Sequence, residues 1–387
     1  MKKQDSLPVV QMLMHDFADR TGISDRQKPP RRYLWTDSFA VCNFLELFRL
    51  TGDESFKSLA LTLVDQVHET LGRHRGDDSR HGWISGLNED EGRKHPTAGG
   101  LRIGKALQER QPDEPFDERL EWERDGQYFH YLTKWMHALY RVGQVTGNDA
   151  FHFQARELAQ AIHGRFTYWP GGRGPRRMYW KMSIDLSRPL VPSMGHHDPL
   201  DGLITYSELQ ATSTTAGPDL AAEMAEMAAM CRGKDWTTDD PLGLGGLMTD
   251  ACRVTQMTVR GMIIMPGLLE DILSTALVGL ESFLRRSPLT MPANYRLAFR
   301  EFGLSLGLRA LAKLKRLTNE APLGTFANIA ALTEQITAIL HYAPIGKAIE
   351  AFWLDPANRQ ADTWTEHEDI NAVMLATSLT PEGFLTI

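Results

Sequence analysis

Acidic and imidazole side chains set into apolar stretches are the parts of this sequence that could do chemistry. Asp37 stands among Leu34, Trp35, Phe39 and Ala40, where a carboxylate is costly unless it is bonded or functional; a local cap or compensation of the helix dipole is the structural alternative. Asp125 and His130 bracket a helix start, with Tyr128 and Tyr131 around them. Asp125 reads as an N-cap and His130 as a residue lining a cavity. His196-His197-Asp198, with Asp201 one turn on, offers imidazoles that titrate near neutral pH. Adjacent side chains rarely converge on one ion, so the pair is not a metal site by itself. Asp198 suits an N-cap, with Pro199 at the first helical position. Glu366-His367-Glu368-Asp369 is the densest acidic cluster in apolar surroundings, and helical spacing puts Glu366 and Asp369 on one face. A charged first turn is the other reading. Aromatic residues accompany these groups: Trp35, Trp83, Trp122, Trp169, Tyr179, Trp180 and Trp364 fall in or beside irregular connections. Aromatic faces near polar groups suit the apolar face of a sugar ring or another amphipathic organic ligand, although some of these tryptophans must anchor loops.

Other chemistries lack their signatures. The stretch from His95 to Lys105 contains Gly99, Gly100 and Gly104, but it has neither the order of a phosphate loop nor strand signals around it, and no dinucleotide fingerprint is present. There is no histidine-glutamate-x2-histidine. No cofactor and no metal are expected. Cys42, Cys231 and Cys252 are too few and irregular for a disulfide framework or a zinc site, and read as inert core thiols. A net charge of -7 argues against nucleic acid or an anionic membrane as the main partner. Gln11, His15 and Asp16 interrupt the first apolar run, and no later stretch approaches the ~20 apolar residues of a membrane span, so a cytoplasmic location is expected. The expected partner is a small molecule or oligosaccharide, and a homodimer is compatible with this.

Helical hairpins must position these residues. Leu34 to Leu50 is apolar almost all round, whereas Phe56, Leu59, Ala60, Leu63, Val64, Val67 and Leu71 form one stripe of an amphipathic helix. Thr51-Gly52-Asp53 is the stop and restart between them. Thr146-Gly147-Asn148 repeats the turn, followed by Phe151, Ala155, Leu158, Ala159, Ile162 and Phe166. Further helices are read from Pro8 to Thr21, Pro199 to Ala211, Asp219 to Met230, Asp240 to Arg260, Gly267 to Arg285, Pro292 to Leu317 and Phe326 to Trp353, the last broken near Pro344. Thr365 and Glu368 resemble a capping box for a final short helix closed by Pro381. Taken alternately as outer and inner, the inner helices begin near Leu34, Gly126, Pro199, Leu242, Pro292 and Glu366. All would then point the same way, with the long connections arriving at their N-terminal end. The expected fold is all-α: a single (α/α)6 toroid of six helical hairpins over residues 1–387, with long loops at one end. Insertions 73–124 and 167–198 would cover the cavity; the second is rich in glycine and aromatics, with Trp169, Gly171-Gly172, Tyr179 and Trp180.

The segments Tyr33 to Phe48, Asp125 to Gly147 and Trp364 to Met374 carry a resemblance. The chain resembles the six-hairpin glycosidase superfamily, the α/α toroids that include glycoside hydrolases, uronyl hydrolases and sugar 2-epimerases. The resemblance implies a ligand in the cavity at the loop-rich end and a carbohydrate-active enzyme, with a glycoside hydrolase as the leading expectation. For that chemistry Asp37 would be the general acid and Asp369 the base or nucleophile beside Glu366. A sugar epimerase or isomerase would instead use His130, His196, His197 or His367. A non-catalytic glycan or small-molecule binding protein is the third reading. Trp35, Trp83, Tyr128, Trp169, Trp180, Trp364 and Glu366 are the expected substrate-binding residues.

Overall fold

A computed structural model describes residues 3–25, 27–171, 174–211, 217–262, 264–286 and 288–387; Gly172 of the glycine-rich connection lies outside the described residues. The chain forms two compact units, residues 18–233 and residues 1–17 with 234–387. Helix α1 runs Lys3–Arg20. Both units are built from paired helices, the helical-hairpin arrangement of the α/α class, and none of the described helices is long and apolar enough to cross a membrane.

In residues 18–233 the first hairpin is α2 (Leu34–Thr51) and α3 (Glu54–Leu71). Gly52 ends α2 at φ 71° with its N–H on the Phe48 carbonyl, and Asp53 caps α3 through Ser55 N–H. That left-handed residue costs glycine nothing and would strain a residue with a Cβ. After the short helices α4 (Glu89–Lys94) and α5 (Glu118–Glu123) and strand β1 (Gln127–Tyr128), the second hairpin comprises α6 (Phe129–Thr146) and α7 (Asp149–Phe166). It turns at Gly147 with φ 67° and Asn148 as N-cap. Strands β2 (Thr167–Tyr168), β3 (Arg177–Met178), β4 (Lys181–Met182) and β5 (Pro189–Val191) form two small sheets, ordered β1-β4-β5 and β2-β3, with antiparallel pairs throughout. The third hairpin is α8 (Asp198–Gln210) and α9 (Ala221–Cys231).

The inner helices of this unit run parallel. Tyr33 meets Tyr131 at the starts of α2 and α6. His130, Thr133 and His137 of α6 face Asp198, Asp201 and Glu208 of α8 in the same order. Both long connections reach these N-terminal ends: Leu34 donates to the Ile103 carbonyl, Ile103 to the Gly126 carbonyl, and β1 pairs with β4. The directional expectation from the hairpin pattern therefore holds within this unit.

The other unit contains α10 (Pro241–Val259), α11 (Leu268–Arg285), α12 (Ala298–Glu320), α13 (Ile329–Leu340), α14 (Ala343–Leu354), α15 (Asp362–Thr365), α16 (Glu368–Leu379) and α17 (Glu382–Leu385). Helices α10 and α12 touch backbone to backbone: a Cβ on Gly245 would sit 2.0 Å from the Gly303 carbonyl oxygen. The Asp240–Arg300 ion pair, with Leu242 against Gly303, makes that crossing parallel.

Three expected boundaries shift. Pro292 caps a 3-10 turn, Ala293–Tyr295, so the fifth inner helix starts only at Ala298. His197 is the N-cap of α8, without a side-chain cap bond, and Asp198 is its first residue. The Thr365–Glu368 capping box does not form; α15 ends at Thr365, and His367 is the N-cap of α16, again without a side-chain bond. The thiols of Cys42 and Cys252 are buried, and burial pushes each up to about 12, as inert core groups require.

Candidate functional site

Where the inner helices of residues 18–233 begin, six aromatic side chains form one chain of ring contacts. Tyr33, just before α2, meets Tyr131 at a ring distance of 5.6 Å, and their hydroxyls are 2.6 Å apart. Tyr131 meets Tyr128 at 5.2 Å, Tyr128 meets Trp180 at 5.4 Å, and Trp180 meets Trp122 at 4.8 Å. His130 packs edge-on to Tyr131 at 4.8 Å and lies near parallel to Trp180, 15° between planes. A cleft of about 180 Å³ opens along this surface, lined by Phe116, Glu118, Glu121, Trp122, Tyr128, Trp180, Val191 and Ser193.

Its two walls come from distant parts of the sequence and are joined by a buried ion pair. Lys181 on β4 is wholly buried and donates to Glu121 Oε1 at 2.9 Å and to the carbonyls of Glu121 and Arg124 at 2.7 and 2.8 Å. Arg110 Nε holds the second Glu121 oxygen at 3.0 Å. Burial pushes the Lys181 ammonium down against the pull of Glu121. Removing either partner would leave a buried charge uncompensated, so the pair fixes α5, with Trp122, against the sheet that follows Trp180.

The connection 73–124 is braced at many points. Trp83 is 2% exposed, lies under the Arg73 guanidinium and fills the space a Cβ on Gly92 would need. His95 Nδ1 and Thr97 Oγ1 both bond Glu157 of α7 at 2.6 Å. Asp125, fully buried, accepts from Arg102, Arg75 and the Gly104 N–H. It is a bracing carboxylate rather than the expected N-cap; that position belongs to Tyr128.

His130 is the titratable ring of this cluster, packed against Tyr128, Tyr131 and Trp180. Its side chain is 31% exposed, and Nδ1 lies 3.8 Å from Asp198 Oδ1. Burial, with Lys134 adding to it and Asp201 opposing, pushes the imidazole down to about 4, so it is neutral at pH 7. Burial likewise pushes the Tyr33 phenol up to about 12 and raises that of Tyr128. A neutral imidazole beside protonated phenols can give and take protons without a fixed charge at the surface.

Of the residues singled out from sequence, Tyr128, His130 and Trp180 come together here. His197 is half-buried and His196 exposed just before α8, their rings 4.7 Å apart. Asp37 is buried; its carboxylate accepts the Tyr33 N–H at 2.9 Å and lies 3.5 Å from Arg32. Its surroundings therefore include a guanidinium, where the sequence showed apolar neighbours. Trp35 is buried against Phe39, and Trp169 is exposed beside Arg176. In the other unit Trp364 is buried against Trp353 and Phe302, under Arg359. Glu366 is exposed and Asp369 half-buried in the first turn of α16. Sequence reasoning did not find Tyr33, Lys181 or Glu121 as site residues. Only the position of Tyr33 before a helix start hinted at its role.

No protein-family model matches the chain, and no curated protein matches it. Among solved structures it is similar to one described as the crystal structure of unsaturated glucuronyl hydrolase specific for heparin, at 13% sequence identity over 70% of this chain and 83% of that one, with a TM-score of 0.33. Similarity of that degree transfers neither site residues nor a substrate.

Proposed function

We propose that this chain is a carbohydrate-active enzyme that seats a sugar against Trp122, Tyr128 and Trp180 and moves protons with His130. The observation that carries the reading is the aromatic cleft itself. Tyr128 stands at the start of α6, Trp122 is exposed and Trp180 half-buried, with Glu118 and Ser193 on the wall. Carbohydrate faces pack on such rings while hydroxyls reach the polar rim.

For the reaction, the epimerase or isomerase class is favoured. Glycoside hydrolysis needs two available carboxyl groups about 5 to 9 Å apart. Asp37, Asp125 and Glu121 are instead taken up by Arg32, by Arg75 with Arg102, and by Lys181 with Arg110. The neutral imidazole of His130 suits proton exchange at a sugar carbon. Hydrolysis is kept as the second reading because Glu118 lines the cleft. Incubation with mono- and oligosaccharides in ¹⁸O-water distinguishes them. Interconversion of reducing sugars without ¹⁸O gained by bond cleavage is the expected result; new reducing ends carrying ¹⁸O would establish the hydrolase. Sugar binding that quenches tryptophan fluorescence, with no turnover of any kind, would make the chain a binding protein. No sugar binding at all, with the fold intact, would end the carbohydrate reading.

A further inference from the structure

The environment of His130 is asymmetric in a way that assigns a second residue to its chemistry. Two ring contacts set its plane: Trp180 lies near parallel to it and Tyr131 meets it edge-on. Neither contact decides which ring nitrogen carries the proton. Nδ1 is enclosed and makes no hydrogen bond, although the side chain as a whole is 31% exposed, so the accessible part of the ring is its Nε2 side. The carboxylate facing Nδ1 is that of Asp198, 3.8 Å away on the first residue of α8. Asp201, the other carboxylate near the ring, is directed elsewhere: its Oδ1 takes Lys134 Nζ at 2.7 Å, and its Oδ2 takes the Thr133 hydroxyl at 2.5 Å. An enclosed nitrogen aimed at a carboxylate is best satisfied as a donor, whereas a lone pair there would face negative charge.

We infer that Asp198 is the positioning residue of His130, holding the neutral imidazole with its proton on Nδ1 and its lone pair on the accessible Nε2. Free histidine prefers the opposite tautomer, so the carboxylate would turn the ring into a base at the accessible nitrogen, as outer carboxylates do for functional histidines elsewhere. The inference rests on His130 as the proton-transfer group of the proposed enzyme, but its test needs no substrate.

The tautomer is read directly by ¹⁵N NMR of histidine-labelled protein at pH 7, with the His130 signals assigned by their loss in His130→Gln. The expected wild-type spectrum has a protonated Nδ1 and an unprotonated Nε2. Asp198→Ala should move the proton to Nε2, and Asp198→Asn, whose side-chain carbonyl still accepts, should leave it on Nδ1. A wild-type ring protonated on Nε2, or one unaffected by Asp198→Ala, overturns the inference. If Asp198→Ala does not fold, the wild-type spectrum alone still decides. A cleft that binds no sugar would leave these spectra unchanged, so failure of the carbohydrate reading and failure of this one are separable.

Discussion

Burial separates tryptophans that look alike in the sequence. Trp83 and Trp180 both stand in long connections, yet Trp83 is 2% exposed beneath Arg73, while Trp180 is half-buried at the cleft. Trp83→Ala should cost about 3 to 5 kcal/mol in urea unfolding and leave sugar affinity unchanged. Trp180→Ala should do the reverse, weakening binding about tenfold, or roughly 1.4 kcal/mol, with a smaller change in stability. Equal effects of both on stability and binding would contradict the division. His68 gives the pH dependence at this scale. It is buried, accepts from Trp135 Nε1 at 3.3 Å, and burial pushes it down to about 3. Its folded value lies below the unfolded one, near 6.5, so the stability it contributes is present above pH 6.5 and is lost as pH falls from there toward 3. The slope approaches about 1.4 kcal/mol per pH unit for one proton. His68→Gln, which can still accept from Trp135 but cannot charge, should lose less stability between pH 6.5 and 5 than the wild type. Parallel losses would assign the acid sensitivity elsewhere.

Elements were legible where their signal was local. The two early hairpins follow from a buried helix, a glycine turn and a striped partner, and α2, α3 and α7 begin where the pattern places them. The repeat does not extend to energetics, however: Phe56 is 1% exposed whereas its counterpart Phe151 is half-buried. Phe56→Ala should therefore cost about 3 to 5 kcal/mol, and Phe151→Ala clearly less. The cleft walls left no such trace, because Lys181 and Glu121 are sixty positions apart and neither belongs to a periodic stretch. The connection 73–124 showed its length and its aromatics but not its fastenings, which are pairwise bonds such as His95 and Thr97 to Glu157. A segment held at so many points should resist limited proteolysis between Gly82 and Gly104 in the intact protein. Glu157→Ala, which releases two of those bonds, should expose it, and rapid cutting of the wild type there would show that the braces do not hold in solution.

At the scale of the whole chain, sequence pattern anticipated parallel inner helices because each hairpin reverses direction once, and that parallelism is present in each compact unit. Pairing Asp37 with Asp369 is a different kind of statement: it draws one group from each unit, and no periodicity specifies a pair 332 positions apart (369 minus 37). The local setting of Asp37 nevertheless gives a prediction. Its carboxylate lies beside Arg32 and accepts the Tyr33 N–H near the start of α2, which is work for the fold. Asp37→Asn should cost about 1 to 3 kcal/mol through the weakened partner of a buried guanidinium, with turnover per folded molecule changing only a few-fold. His130→Gln should lower turnover by about 10² to 10⁴ while urea unfolding moves little, since nearly a third of that side chain is exposed. The two variants should be compared on any sugar the protein is found to convert. If Asp37→Asn remains folded and loses turnover as steeply as His130→Gln, the carboxylate acts in the reaction, and hydrolysis with Asp37 as general acid replaces histidine-driven isomerisation.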